Sequence, residues 1–264
     1  MQTGISTASL FVRMKTEDAL QFLNDNGVKV AEIFLESFCE YNGAFGKLLH
    51  SVQGDVKVHS VHTLTEQFEP QLFSINERAR ADSFAFLKST MECAKEVGAK
   101  YYTFHGVPRL KKLPLTINFD RLALQTNEVI ETMRPYGVSL AYENVHWTYY
   151  NYVGFFTELK KRVPALKGTF DVKQARLSGV DYKEFIKEMG KDIVTVHVSD
   201  VDEAGKMCLP GRGVTDFDEM FALLRDVGFD GAILLEVYNG DYKEYDELFD
   251  SLYYVEDLAR RIIG

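Results

Sequence analysis

Cysteine is scarce in this chain, and positive charge is in deficit. Of 264 residues only 3 are Cys, at positions 39, 93 and 208, with no Cys-x-x-Cys pair. That spacing excludes a disulfide framework and fits a reducing, cytoplasmic setting. Lys and Arg number 30 against 39 Asp and Glu, a net charge of −9, so a nucleic acid is not an expected partner. The basic clusters go no further than Lys160-Lys161-Arg162 and Lys111-Lys112, which read as solvated surface. No run approaches the roughly 18 apolar residues that a membrane span needs. The opening Met1-Gln2-Thr3-Gly4-Ile5-Ser6 lacks a basic stretch followed by an apolar one, so a soluble, unexported chain is the expectation. Gly211-Arg212-Gly213 has neither P-loop nor dinucleotide spacing, which argues against nucleotide binding. With no Pro/Ser-rich spacer or low-complexity tract, a single domain over 1–264 is expected.

What the chain does have is core material, 46% hydrophobic and 13% aromatic, in short β-branched runs that alternate with longer helical patterns. Eight runs read as strands: Gly4–Thr7, Val28–Phe34, Lys57–Val61, Tyr101–His105, Ser139–Glu143, Gly168–Asp171, Ile193–Val198 and Ala232–Glu236. Between them lie apolar stripes at helical spacing, such as Phe84, Leu87, Met91 and Ala94, then Phe217, Met220, Phe221, Leu224 and Val227, and finally Leu248, Leu252, Val255 and Ile262. Glycines at 27, 98, 137 and 228 precede strands, where a helix C-cap belongs. Repeated βα units predict a parallel sheet, and eight of them predict an α/β fold of the closed (β/α)8 TIM-barrel type, with an open doubly wound sheet as the alternative count.

In such a barrel the strand interiors should be apolar, while polar residues at the C-terminal strand ends share one rim. Those ends are loaded here. The third to eighth predicted strands run into His59 and His62, His105, Glu143, Asp171 with Lys173 and Gln174, His197, and Glu236. All the histidines except His50 read as strand-end residues. Glu143, Asp171, His197 and Glu236 offer three carboxylates and an imidazole from four consecutive strands. That mixture suits one divalent ion, Mn2+ or Mg2+ before Zn2+. A cation would also explain how three like charges tolerate one another. The bland readings are a helix N-cap for Asp171, a core histidine for His197, a barrel-interior ion pair for Glu32, and backbone hydrogen bonds for His59 and His105.

Tyr142-Glu143-Asn144, Phe170-Asp171-Val172-Lys173-Gln174-Ala175, His197-Val198-Ser199-Asp200, Leu209-Pro210-Gly211-Arg212-Gly213 and Gly231-Ala232-Ile233-Leu234-Leu235-Glu236-Val237-Tyr238 stand in an order and spacing that resembles the xylose-isomerase-like TIM-barrel superfamily. That superfamily includes sugar and sugar-phosphate isomerases and epimerases and the endonuclease IV group. The resemblance covers nearly the whole chain. It implies that Glu143, Asp171, His197 and Glu236 bind one metal ion, and that the two glutamates also act as acid and base. The chain departs from the family at Gln174, where many members have histidine, and at Tyr149, where the ketose 3-epimerase branch has a carboxylate.

The chemistry expected is a divalent-metal-dependent isomerisation or epimerisation of a sugar or sugar phosphate. It would pass through a metal-stabilised enediolate, with Glu143 and Glu236 exchanging protons on two sides of the substrate. Ser199 or Asp200 should orient the His197 ring. His59, His62, His105, Lys173, Gln174, Arg212 and Trp147 are the candidates for substrate contact, with Arg212 and its flanking backbone N–H groups suited to an anionic group. Trp147, Tyr149, Tyr150 and Phe38 could face a sugar ring or a subunit interface, so a homo-oligomer is compatible with the sequence. The alternatives are a metal-dependent dehydratase or lyase on a polyol or keto acid, an abasic-site endonuclease, and a non-catalytic metal or sugar binder.

Overall fold

The computed structural model describes residues 2–64, 67–109 and 116–264; Lys111 and Lys112 lie outside them. Eight parallel strands close into a barrel: β1 (Gln2–Ser6), β2 (Val30–Leu35), β3 (Lys57–Thr63), β4 (Tyr101–Phe104), β5 (Ser139–Glu143), β6 (Lys167–Asp171), β7 (Ile193–Val198) and β10 (Ala232–Leu235). A short antiparallel hairpin, β8 (Asp200–Val201) with β9 (Met207–Cys208), interrupts the series after β7. The ring closes where β1 pairs with β10 on one side and β2 on the other.

The described residues also form nine α-helices: α1 (Thr16–Asp25), α2 (Gly43–Val52), α3 (Glu77–Glu96), α4 (Phe119–Met133), α5 (Phe155–Arg162), α6 (Val172–Leu177), α7 (Tyr182–Met189), α8 (Phe217–Asp226) and α9 (Asp246–Ile262). The expected stripes face inward. Leu87, Met91 and Ala94 on α3, Met220, Phe221 and Leu224 on α8, and Leu248, Leu252 and Val255 on α9 are all buried. Gly27, Gly98, Gly137 and Gly228 adopt φ of +73 to +77°, the left-handed conformation that a helix C-terminus asks of glycine. Among the described residues no helix is long and apolar enough to cross a membrane.

Strand alternation sorts the side chains into two environments. Outward residues such as Ala31, Ile33, Leu35, Leu140, Tyr142, Val196 and Val198 join the large apolar layer between barrel and helices. The barrel interior is polar above a small apolar plug of Val30, Ala232 and Leu234, which corrects the expectation of apolar strand interiors. Glu32 lies fully buried there and accepts hydrogen bonds from Ser6 Oγ at 3.2 Å, Ser60 Oγ at 2.7 Å and Thr103 Oγ1 at 2.6 Å. Small hydroxyl side chains from three strands leave room for the carboxylate and also satisfy it.

A register shift between β2 and β3, from Ala31 opposite Val58 to Glu32 opposite Ser60, leaves His59 as the extra residue. Such a bulge re-aims a side chain. His59 Nε2 lies 3.1 Å from Val194 O and 3.0 Å from Thr195 Oγ1. Its ring borders a cavity with Gln2, Lys57 and Gly231 at the N-terminal end of the barrel. The expected substrate role for His59 is therefore corrected, because it stands at the end opposite the loaded rim.

Strand β1 approaches β2 so closely that a Cβ on Gly4 would sit 1.9 Å from Val30 O. Gly4→Ala is expected to cost about 3 kcal/mol or more, read by urea denaturation. An unchanged midpoint would contradict this packing.

Candidate active site

The inward positions at the C-terminal ends of β5, β6 and β7, together with Glu236 just after β10, converge on one imidazole. His197 Nδ1 lies 3.5 Å from Glu143 Oε1, 3.8 Å from Asp171 Oδ2 and 3.2 Å from Glu236 Oε2. The other ring nitrogen, Nε2, stands 3.0 Å from Glu32 Oε1. Both His197 nitrogens, Glu143 Oε2 and Glu236 Oε2 are buried without an aligned hydrogen bond. Orphaned donor atoms this close together are what a metal ion would satisfy. Glu143, Asp171 and His197 each present a ligand atom within 4.8 Å of the others, as do His62, His105 and Glu143, and Glu32, His62 and Glu236. The first group fits the four-residue set read from the sequence. Glu32 already serves the hydroxyls around it, which weakens the third.

Asp171 fills two positions at once. Its Oδ1 accepts from the backbone N–H of Gln174 at 2.7 Å and so caps α6, while Oδ2 faces His197. Asn144 clamps the same residue by donating to Asp171 O at 2.9 Å and accepting from its N–H at 2.8 Å. The helix-cap reading is thus realised through Oδ1, and Oδ2 is left facing His197.

Above these groups opens a cavity of about 240 Å3. Phe11, Phe34, Trp147 and Val237 form its apolar wall, and His62, His105, Lys173, Gln174 and Glu236 its polar side. Lys173 is buried with its ammonium 4.2 Å from the centre of the Tyr238 ring.

A model of the family described as xylose isomerase-like TIM barrel matches residues 17–257. The chain belongs to this family. It is 25% identical over 182 residues to an inosose isomerase of Bacillus licheniformis, a match covering 63% of this chain and 64% of that one. The matches to curated relatives span 59% and 64% of those proteins' lengths. A D-psicose 3-epimerase from Clostridium cellulolyticum H10, solved with D-tagatose, superposes with a TM-score of 0.80 at 15% identity over 100% of both chains. The IolI protein with a bound zinc atom does so with a TM-score of 0.76 at 17% identity, over 100% of this chain and 98% of that one.

Electrostatics at this cluster push the two glutamates apart. Burial alone would raise Glu143, yet the imidazoles of His105 and His197 hold it well below the ordinary carboxylate range. Burial raises Glu236 to about 7, opposed by His197 and Lys173 and assisted by Glu32 and Glu143. Burial would lower His197, but Glu236 and Glu32 hold it well above its usual value. His105 rises to about 9 against its burial, because Glu143 lies 3.0 Å from its Nε2. His62, buried and 2.9 Å from the same Nε2, falls to about 3.

Of the residues expected to contact substrate, His62, His105, Lys173, Gln174 and Trp147 line the cavity. Arg212 does not border it: its guanidinium is exposed and paired with Glu247 at the start of α9. The neighbouring N–H groups are not free for an anion either. Asp200 accepts from Gly211 at 3.1 Å, Gly213 at 2.9 Å and Thr215 at 3.0 Å. Asp200 thus shapes the loop, and the carboxylate facing His197 Nε2 is Glu32 instead. Phe38 stacks on Phe86 and Tyr150 on Phe155, both away from the cavity.

One residue escaped the sequence reading altogether. Glu69, in the loop after β3, is fully buried and accepts from Tyr102 OH at 2.6 Å and from the His105 backbone N–H at 3.1 Å. Its Oε2 also lies 3.9 Å from His105 Nδ1. Burial raises its carboxyl from the ordinary 4.5 to about 7, partly offset by His105. The folded chain therefore binds that proton more readily than the unfolded one, and stability falls as pH climbs from about 4.5 to about 7. Glu69→Gln should remove this slope. Relative to wild type, the variant should gain up to about 3 kcal/mol between pH 5 and pH 8, measured by urea denaturation at both. Parallel pH profiles would refute the assignment.

Proposed function

We propose that the protein is a divalent-metal-dependent isomerase or epimerase of a sugar. The observation that carries this reading is the pair Glu143 and Glu236. They come from different strands, lie on one imidazole nitrogen at 3.5 and 3.2 Å, and are driven to opposite proton affinities. Moving a proton between the two faces of a carbon, or between neighbouring carbons, needs one group ready to accept and another ready to donate. Relatives named as an inosose isomerase and a D-psicose 3-epimerase support the sugar reading.

Glu143, Asp171, His197 and Glu236 would hold the ion. Its chemistry when bound is Lewis-acid polarisation of the substrate's carbonyl. The carboxylate-rich set suits Mn2+ or Mg2+, and the zinc in the IolI neighbour keeps Zn2+ in the test.

Glu143, kept ionised by His105, takes the proton from the carbon beside the carbonyl. Glu236 delivers one to the other face or the next carbon, and the roles reverse in the back reaction. Glu32 holds the His197 ring from below. His62, His105, Lys173 and Gln174 offer partners for substrate hydroxyls. Trp147, Phe11 and Phe34 supply the apolar wall that excludes water.

Glu143→Gln and Glu236→Gln should each slow exchange of a substrate C–H proton with solvent by about 100-fold or more, with one ion per chain retained on elemental analysis. Asp171→Ala should lower the metal content. Undiminished exchange in both glutamine variants would sink the assignment.

A further inference from the structure

On the same barrel face, between the loops that follow β6 and β7, lies a second cavity of about 560 Å3. It is more than twice the volume of the one above His197. Its floor is buried and polar: Lys173 and Ser199 are each 3% exposed and Asp200 1%. The Ser199 hydroxyl borders the cavity and makes no hydrogen bond to another described residue. Arg176, three positions after Lys173 on α6, borders it too and forms no ion pair among the described residues.

The surrounding carboxylates are already engaged. Asp181 and Asp216 cap α7 and α8, Asp200 holds the loop N–H groups, and Glu219 pairs with Lys183 at 2.7 Å. Positive and negative side chains on the walls are therefore nearly balanced, and an anion would find no field drawing it in. The features without a protein partner are a hydroxyl and an exposed guanidinium, set beside engaged carboxylates with free lone pairs and the half-buried ring of Tyr182. Donors, acceptors and an aromatic face in that mixture match a polyhydroxylated ring rather than an apolar or charged ligand. Lys173 borders both cavities, so a ligand crossing it could occupy the two together.

We propose that the groove bordered by Arg176, Ser199 and Tyr182 is a subsite for a second sugar unit, and that the preferred substrate is a glycosylated ketose. Its reacting unit enters the cavity above His197, and the attached sugar lies across Lys173 in the groove. The proposal rests on the sugar isomerase or epimerase reading for the reacting half.

The test compares D-fructose with two glucosylated fructoses, maltulose and isomaltulose. Loss of the substrate C–H signal in D2O is followed by NMR, and binding by titration calorimetry. At least one disaccharide should exceed fructose in kcat/KM by about tenfold or more. Arg176→Ala and Tyr182→Ala should bring that ratio close to one while leaving the fructose rate unchanged. Equal kcat/KM for fructose and both disaccharides in wild type, or a ratio that neither substitution moves, overturns the proposal. If no sugar exchanges a proton, the isomerase reading fails and calorimetry decides the groove separately. Tighter binding of a disaccharide than of fructose, lost in Arg176→Ala, upholds the subsite; equal binding removes it.

Discussion

The carboxylates of Glu32, Glu69, Glu143, Asp171 and Glu236 are withdrawn from water at one end of a barrel, and the architecture of that end follows from how their charge is offset. An unpaired buried carboxylate costs several kcal/mol or takes up a proton. Each solution is visible here. Glu32 is surrounded by three hydroxyl donors and the His197 ring, which hold it well below its usual range despite its burial. Glu69 and Glu236, less completely compensated, rise instead toward neutrality. Lys173 joins the balance: burial would strip its proton, but Asp171 and Glu236 hold it charged.

The same offset distributes work between layers. Groups facing the cavity are left with orphaned atoms, and those behind them are saturated. Asn144 locks the Asp171 backbone, Glu32 stands behind His197, and Glu69 stands behind His105. A reacting group that must change its bonding partners cannot also be fully bonded at rest, so a saturated support has to hold it in place. The loop after β7 obeys the same logic, with Asp200 gathering its N–H groups so that the wall of the adjoining groove is held.

The eight strands, the helix stripes and the convergence of Glu143, Asp171, His197 and Glu236 were legible in the linear pattern. Period-two alternation assigns each of these residues the inward parity, and the end of a parallel strand is a position that the chain itself marks. His59 was misplaced because one extra residue in β3 re-aims it, and a bulge follows from pairing with a neighbouring strand. Arg212 was misread because its partner, Glu247, is distant in sequence and close only in space.

Glu69 carries no periodic signal, since it opens a single short 3-10 turn, Glu69–Phe73, and its partners Tyr102 and His105 lie on the next strand and just after it. The sequence by itself therefore determined the barrel and the face each strand residue turns to the interior, because those follow from local periodicity. Only the tertiary structure decided which buried charges compensate one another, because Coulombic and hydrogen-bond partners are chosen by distance across the closed ring, and distance is not written in the order of residues.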